Sequence, residues 1–149
     1  MTGGAEILIN EEKLLALSSG ALFWPERETL IVSDLHFEKG SNFAMRGVFL
    51  PPYDTRASLH RLAALIETHR PKTIISLGDA FHDQGADRRM EKSDADLLAS
   101  FVGAFRWIWV LGNHDPEPPA RFAGAVEGSF RIGRLIFRHE AVRGAEPGE

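Results

Sequence analysis

Trp107-Ile108-Trp109-Val110-Leu111-Gly112-Asn113-His114-Asp115 is the stretch that decides the fold of this chain. Its first part is apolar with no polar alternation, which is how a strand covered on both faces reads. Without any spacer it then becomes a turn of glycine, amide, imidazole and carboxylate. The same construction recurs along the chain. Leu30-Ile31-Val32 runs into Ser33-Asp34-Leu35-His36, Thr73-Ile74-Ile75-Ser76-Leu77 into Gly78-Asp79, and Leu135-Ile136-Phe137 into Arg138-His139. Ile7-Leu8-Ile9 and Leu22-Phe23-Trp24 are further candidate strands, expected to be antiparallel.

Two helical patterns separate the central strands. Leu59, Leu62, Ala63 and Ile66 repeat at helical spacing after Pro51-Pro52 and a candidate cap at Asp54, and Pro71 should close that helix. In the second, Ser93 can cap, Asp96 suits the positive end of the dipole, and Leu97, Leu98, Phe101, Val102 and Phe105 form the buried stripe. Strand and helix in alternation predict parallel strands, right-handed crossovers and a layered α/β domain. Trp107 and Trp109, set in the most apolar strand, read as core rather than as stacking platforms for bases.

The chain has 149 residues, 44% of them hydrophobic, enough for one good core, so a single domain over 1–149 is expected. Met1 to Gly4 and Gly144 to Glu149 read as tails. A net charge of -4 excludes a general polyanion-coating protein and leaves only local contact with nucleic acid. No apolar run approaches the length of a membrane span, and there is no cysteine. Thiolate zinc sites are therefore excluded, and a cytoplasmic protein without a membrane partner is expected. No dinucleotide fingerprint, P-loop or nucleophile elbow is present.

In layered α/β folds ligands bind beyond the carboxyl ends of the strands, and that is where the polar turns fall. Hard oxygens and imidazoles gathered there suit a pair of divalent cations. A phosphodiester is anionic and repels a nucleophile, so cations that neutralise it and acidify a water address both obstacles to its hydrolysis. Asp34 and His36 can reach one ion, and Asp79, with two carboxylate oxygens, can bridge to a second. Asn113 offers that second ion a neutral oxygen and His139 a nitrogen. His114 remains free to protonate the leaving oxygen or to stabilise charge, oriented by Asp115. His82, close to Asp79, and Arg46, near the first metal loop, are candidates for contact with substrate.

These motifs resemble those of the calcineurin-like metallophosphoesterases. Ser19-Gly20-Ala21-Leu22-Phe23-Trp24-Pro25, Ser33-Asp34-Leu35-His36-Phe37-Glu38-Lys39-Gly40, Leu50-Pro51-Pro52-Tyr53-Asp54-Thr55 and Gly78-Asp79-Ala80-Phe81-His82-Asp83 further resemble one bacterial branch, the ligase-associated DNA damage response endonucleases. The resemblance implies a metallophosphoesterase fold, a central β-sandwich flanked by helices. It also implies two divalent ions, manganese foremost with iron or zinc as alternatives, and phosphodiesterase or nuclease activity. Carried over by position, Asp34, His36 and Asp79 hold the first metal, Asp79, Asn113 and His139 the second, and His114 is catalytic. A role in DNA repair on single-stranded or damaged DNA, and association with a DNA ligase or helicase, follow from the family alone. Family members continue past the position matching His139 to a Gly-His-x-His element that this chain lacks. The expectation is a domain truncated at its C-terminus, without its last strands, whose open sheet edge invites a homodimer.

Three functions are compatible with these residues. The first is a metal-dependent phosphodiesterase or nuclease. The second is a phosphodiesterase for small nucleotides or other soluble phosphoesters, which the acidic charge suits. The third is a metal-poor, non-catalytic interaction module.

Overall fold

A computed structural model of the chain describes residues 4–33, 35, 37, 54–81, 85–112 and 115–139. Its centre is a seven-stranded sheet in sequential order, from β1 to β7. β1 (Gly4–Ile9), β2 (Glu12–Leu17), β3 (Leu22–Trp24) and β4 (Thr29–Val32) pair antiparallel. β5 (Thr73–Leu77), β6 (Arg106–Val110) and β7 (Ala125–Glu127) then add in parallel, as expected for strands joined through helices. α1 (Asp54–His69) joins β4 to β5, and α2 (Ala86–Arg89) with α3 (Lys92–Ala104) joins β5 to β6. β8 (Phe130–Ile132) and β9 (Leu135–Phe137) form a separate antiparallel pair.

Side-chain alternation divides the interior into two cores. Leu30, Val32, Ile74, Trp107 and Trp109 face one way and pack with Leu59 and Leu62 of α1 and Leu98 and Val102 of α3. Their neighbours Ile31, Ile75, Ile108 and Val110 face the other way and pack with Trp24 and with Leu135 and Phe137 of β9. One sheet face is thus covered by helices and the other by a second small sheet, the expected sandwich flanked by helices. Both faces being buried is why these strands lack polar alternation. Both tryptophans of β6 belong to the helix-side core, as their setting in the sequence predicts.

Several local expectations need correction. Gly4 is not a tail residue, since it opens β1 opposite Leu17. α3 starts at Lys92 with Glu91 as N-cap and no side-chain capping bond, so Ser93 is not the cap. The first-turn carboxylate is Asp94 rather than Asp96, which pairs instead with Lys92 at 2.9 Å. Arg56 meets this helix start, its guanidinium reaching Glu91 at 2.6 Å and the buried Asp94 at 3.4 Å, and so ties α1 to the start of α3. His69, in the last turn of α1, is half-buried and lies against Phe23 with ring centroids 4.8 Å apart.

Candidate metal centre

The carboxyl ends of β4, β5, β6 and β9 deliver their following residues to one side of the sheet. β5 ends at Leu77 and turns sharply, with Gly78 at φ 75° and Asp79 at φ 50°. The left-handed conformation is easy for Gly78 and costly for Asp79. Asp79 is held in it by its own N–H, which donates to Oδ2 of Asp115 at 3.2 Å. The same oxygen accepts the N–H of Gly112 at 2.9 Å. Asp115 is therefore a clasp between the loops that follow β5 and β6, a contact between residues 36 positions apart.

The loops rest on an aromatic floor. Phe37 forms an isolated parallel bridge with Phe81, its N–H donating to the carbonyl of Ala80 at 2.8 Å. Phe81 stacks on Phe122 at 5.7 Å and meets Trp109 and Phe37 at 5.6 Å each. Four buried rings fix the backbone just past the strand ends, the precision a ligand site demands.

His139, two residues beyond β9, enters this corner with both ring nitrogens committed. Nδ1 lies 3.1 Å from the carbonyl oxygen of Leu77. A carbonyl only accepts, so Nδ1 carries a proton, and Nε2 is the nitrogen left for a cation to take. Nε2 faces Oδ2 of Asp79 at 3.3 Å and Oδ1 of Asp115 at 4.0 Å. The Leu77 carbonyl also accepts the Ser33 hydroxyl at 2.6 Å, so one oxygen anchors the end of β4 and the histidine together. Gly78 gives the ring its space: a Cβ there would lie 1.9 Å from Nδ1 of His139.

Ligand atoms of Asp79, Asp115 and His139 all lie within 4.8 Å of one another. Two carboxylates and an imidazole lone pair form a donor set that suits a divalent cation, and the Leu77 carbonyl behind His139 is the outer partner that metal-bound histidines commonly have. Exposure is graded across the set, with side chains 7% exposed at Asp115, 18% at His139 and 37% at Asp79. Asp79 is thus the group a cation arriving from solvent meets first. Burial pushes the Asp115 carboxyl up, but hydrogen bonds from the Gly112 and Asp79 backbone, a side-chain hydrogen bond with Asp79 and the charge His139 carries when doubly protonated outweigh it and hold it below the ordinary carboxylate value.

Of the residues singled out from sequence, Asp79, Asp115 and His139 are brought together. Asp34, His36, Asn113, His114, His82 and Arg46 lie outside the described residues. Their neighbours Ser33, Leu35, Phe37, Gly112 and Asp115 stand at this corner or beside it. Sequence reasoning gave Asp115 the task of orienting His114 and missed its backbone clasp. It also missed the steric pairing of Gly78 with His139 and the hydroxyl of Ser33. Only Gly78 left a signal in the sequence, as a glycine at a sharp strand exit.

The calcineurin-like phosphoesterase family model matches residues 28–145, and the chain belongs to that family. The fold is also that of the crystal structure of the Pseudomonas putida nuclease MPE, with a TM-score of 0.72 at 24% identity. The match covers 92% of this chain and 66% of that one, so this chain spans just under two thirds of that protein's length. No functionally curated protein matches it in sequence. Among the described residues, no helix is long and apolar enough to cross a membrane.

Proposed function

We propose that the chain is a metal-dependent phosphodiesterase acting on nucleic acid, a nuclease of the calcineurin-like family. The observation that carries this reading is the convergence of Asp79, Asp115 and His139, with Nε2 of His139 facing both carboxylates. Two divalent cations, manganese foremost, would be held by Asp34, His36 and Asp79 and by Asp79, Asn113 and His139. When bound, the cations supply charge neutralisation for the phosphate and activation of water. The protein's own part is to hold the donors in place. Leu77 fixes the tautomer of His139, Asp115 locks the loops that carry Asp79 and Gly112, and the aromatic floor keeps both loops from shifting. His114, next to the Asp115 clasp, is assigned the proton to the leaving oxygen.

Nucleic acid as substrate is supported by the fold shared with the Pseudomonas putida nuclease. The link to repair of single-stranded or damaged DNA, and to a ligase or helicase, rests on the branch motifs around Ser33 and Gly78. A reducing cytoplasm suits a chain without cysteine. Self-association is favoured by the edge strands β1 and β7, which carry the exposed apolar side chains Leu8 and Val126. The net charge of -4 favours a second reading, in which the substrate is a small nucleotide.

The test is Asp79→Ala. It should abolish both manganese uptake in calorimetry and manganese-dependent cleavage of a single-stranded oligonucleotide. Cleavage retained in that variant refutes the bridging role. Faster turnover of small cyclic nucleotides than of oligonucleotide selects the second reading.

A further inference from the structure

Beside the metal centre, a cavity of about 320 Å³ opens between the β2–β3 turn, the end of β4 and α1. Its floor is apolar, with Leu35, Leu62 and Leu65, and its rim carries Ser19, Ser58 and Arg61. Among the described residues no carboxylate lines it, although the chain as a whole is acidic. Arg61 Nη2 donates to the Ser58 hydroxyl at 3.1 Å, which steadies the guanidinium at the rim while leaving it further donors. Ser33 also lines the cavity, and its hydroxyl bonds to the same Leu77 oxygen that holds His139. One carbonyl therefore separates the cavity wall from the candidate metal ligand.

We infer that this cavity binds the nucleotide next to the scissile phosphodiester of a single-stranded polynucleotide, its base or sugar on the leucine floor and its phosphate on Arg61. Its volume lies at the lower end of the range of small-ligand sites, suited to a single nucleotide unit. An apolar floor with a few convergent polar groups is the composition such sites need, and a guanidinium is the side chain whose donor fork matches a phosphate. Isolated positive charge on an acidic protein gives contact local to the site rather than general adhesion to nucleic acid. The inference rests on the phosphodiesterase reading, which places the scissile phosphate at the metal centre.

The experiment compares the unmodified chain, Arg61→Gln and Arg61→Lys in manganese on two substrates: a single-stranded oligothymidylate and bis(4-nitrophenyl) phosphate, which has no neighbouring nucleotide. Arg61→Gln should raise KM for the oligonucleotide about tenfold with little change in kcat, and alter the small substrate less than about twofold. Arg61→Lys should recover only part of the loss, a lysine offering charge without the fork. Anisotropy of the labelled oligonucleotide in EDTA, which needs no turnover, should show weaker binding by Arg61→Gln and a salt dependence of log K shallower by about 0.7. Thymidine monophosphate should displace the oligonucleotide from the unmodified chain better than inorganic phosphate does.

Equal losses on both substrates, or an unchanged salt slope, overturn the inference. Equal competition by phosphate overturns its nucleoside part. If the unmodified chain hydrolyses neither substrate, the phosphodiesterase reading fails, and the anisotropy measurements still decide whether the cavity binds a nucleotide. Arg61 is exposed on α1, so an unchanged melting curve for both variants separates lost binding from lost fold.

Discussion

Replacing Gly78 by alanine would place a methyl group where the His139 ring now lies. The added Cβ falls 1.9 Å from Nδ1 and 2.0 Å from Cγ, against 3.4 Å for ordinary contact. The ring must therefore retreat by about 1.5 Å, the difference between 3.4 and 1.9 Å. Such a retreat takes Nδ1 out of hydrogen-bond reach of the Leu77 carbonyl, from which it now stands 3.1 Å away. It also frees the ring whose present orientation turns Nε2 toward Asp79. The backbone adds a second cost, since φ at this position is 75° and an L residue there loses roughly 1–2 kcal/mol. With the lost hydrogen bond, the expected destabilisation is about 2–3 kcal/mol. Loss of a group that orients a metal-bound histidine commonly lowers metal affinity by about 10- to 100-fold, and that is the expected effect on manganese binding. Guanidinium chloride unfolding gives the first quantity and calorimetric titration with manganese the second. Stability and affinity both preserved would refute the steric argument. Stability lost with affinity preserved would refute the placement of His139 in the metal centre.

The other predictions concern the clasp and the second core. Asp115→Ala leaves the N–H groups of Gly112 and Asp79 without their acceptor in a side-chain environment only 7% exposed, and should cost about 1–3 kcal/mol in chemical denaturation. Because the native Asp115 carboxyl is held below its ordinary value of 3.8, its contribution is complete above that value and disappears as pH falls through the lowered native one. The stability gap between the unmodified chain and Asp115→Asn should accordingly narrow under acid, and a gap that widens there would contradict the assignment. Phe137→Ala removes a buried ring that packs near Trp24, at 6.3 Å between centroids, and should cost about 3–5 kcal/mol in the same assay. A loss below about 1 kcal/mol would show that the small sheet is not part of the core.

What the sequence revealed follows from burial on two faces. Leu30-Ile31-Val32, Thr73 to Leu77 and Trp107 to Leu111 are unmistakable because helices and the β8–β9 pair cover both sides of the strands they form. Glu12-Lys13-Leu14-Leu15-Ala16-Leu17 was illegible as a strand, being built of good helix formers, and becomes β2 only through its pairing with β1 and β3. The turn between β1 and β2 was hidden too: Asn10 and Glu11 both take positive φ, 45° and 69°, without the glycine that marks such turns. Ala125–Glu127 and Phe130–Ile132 are too short and too exposed to carry a pattern. At the site, Asp79 and His139 could be named because strand ends converge in this class of fold. The second duty of Asp115 and the double acceptor at Leu77 depend on backbone groups that residue identity does not encode.

His139 is attached to the rest of the corner from two sides. In the chain it follows β9, whose Leu135 and Phe137 are buried against the main sheet, and in space it is bonded to the end of β5. A cation gripping its Nε2 would thus act as a rivet through the sandwich. Saturating it at a hundred times its dissociation constant would raise the unfolding free energy by about 2.7 kcal/mol, and any change loosening the small sheet would be felt as weaker metal binding.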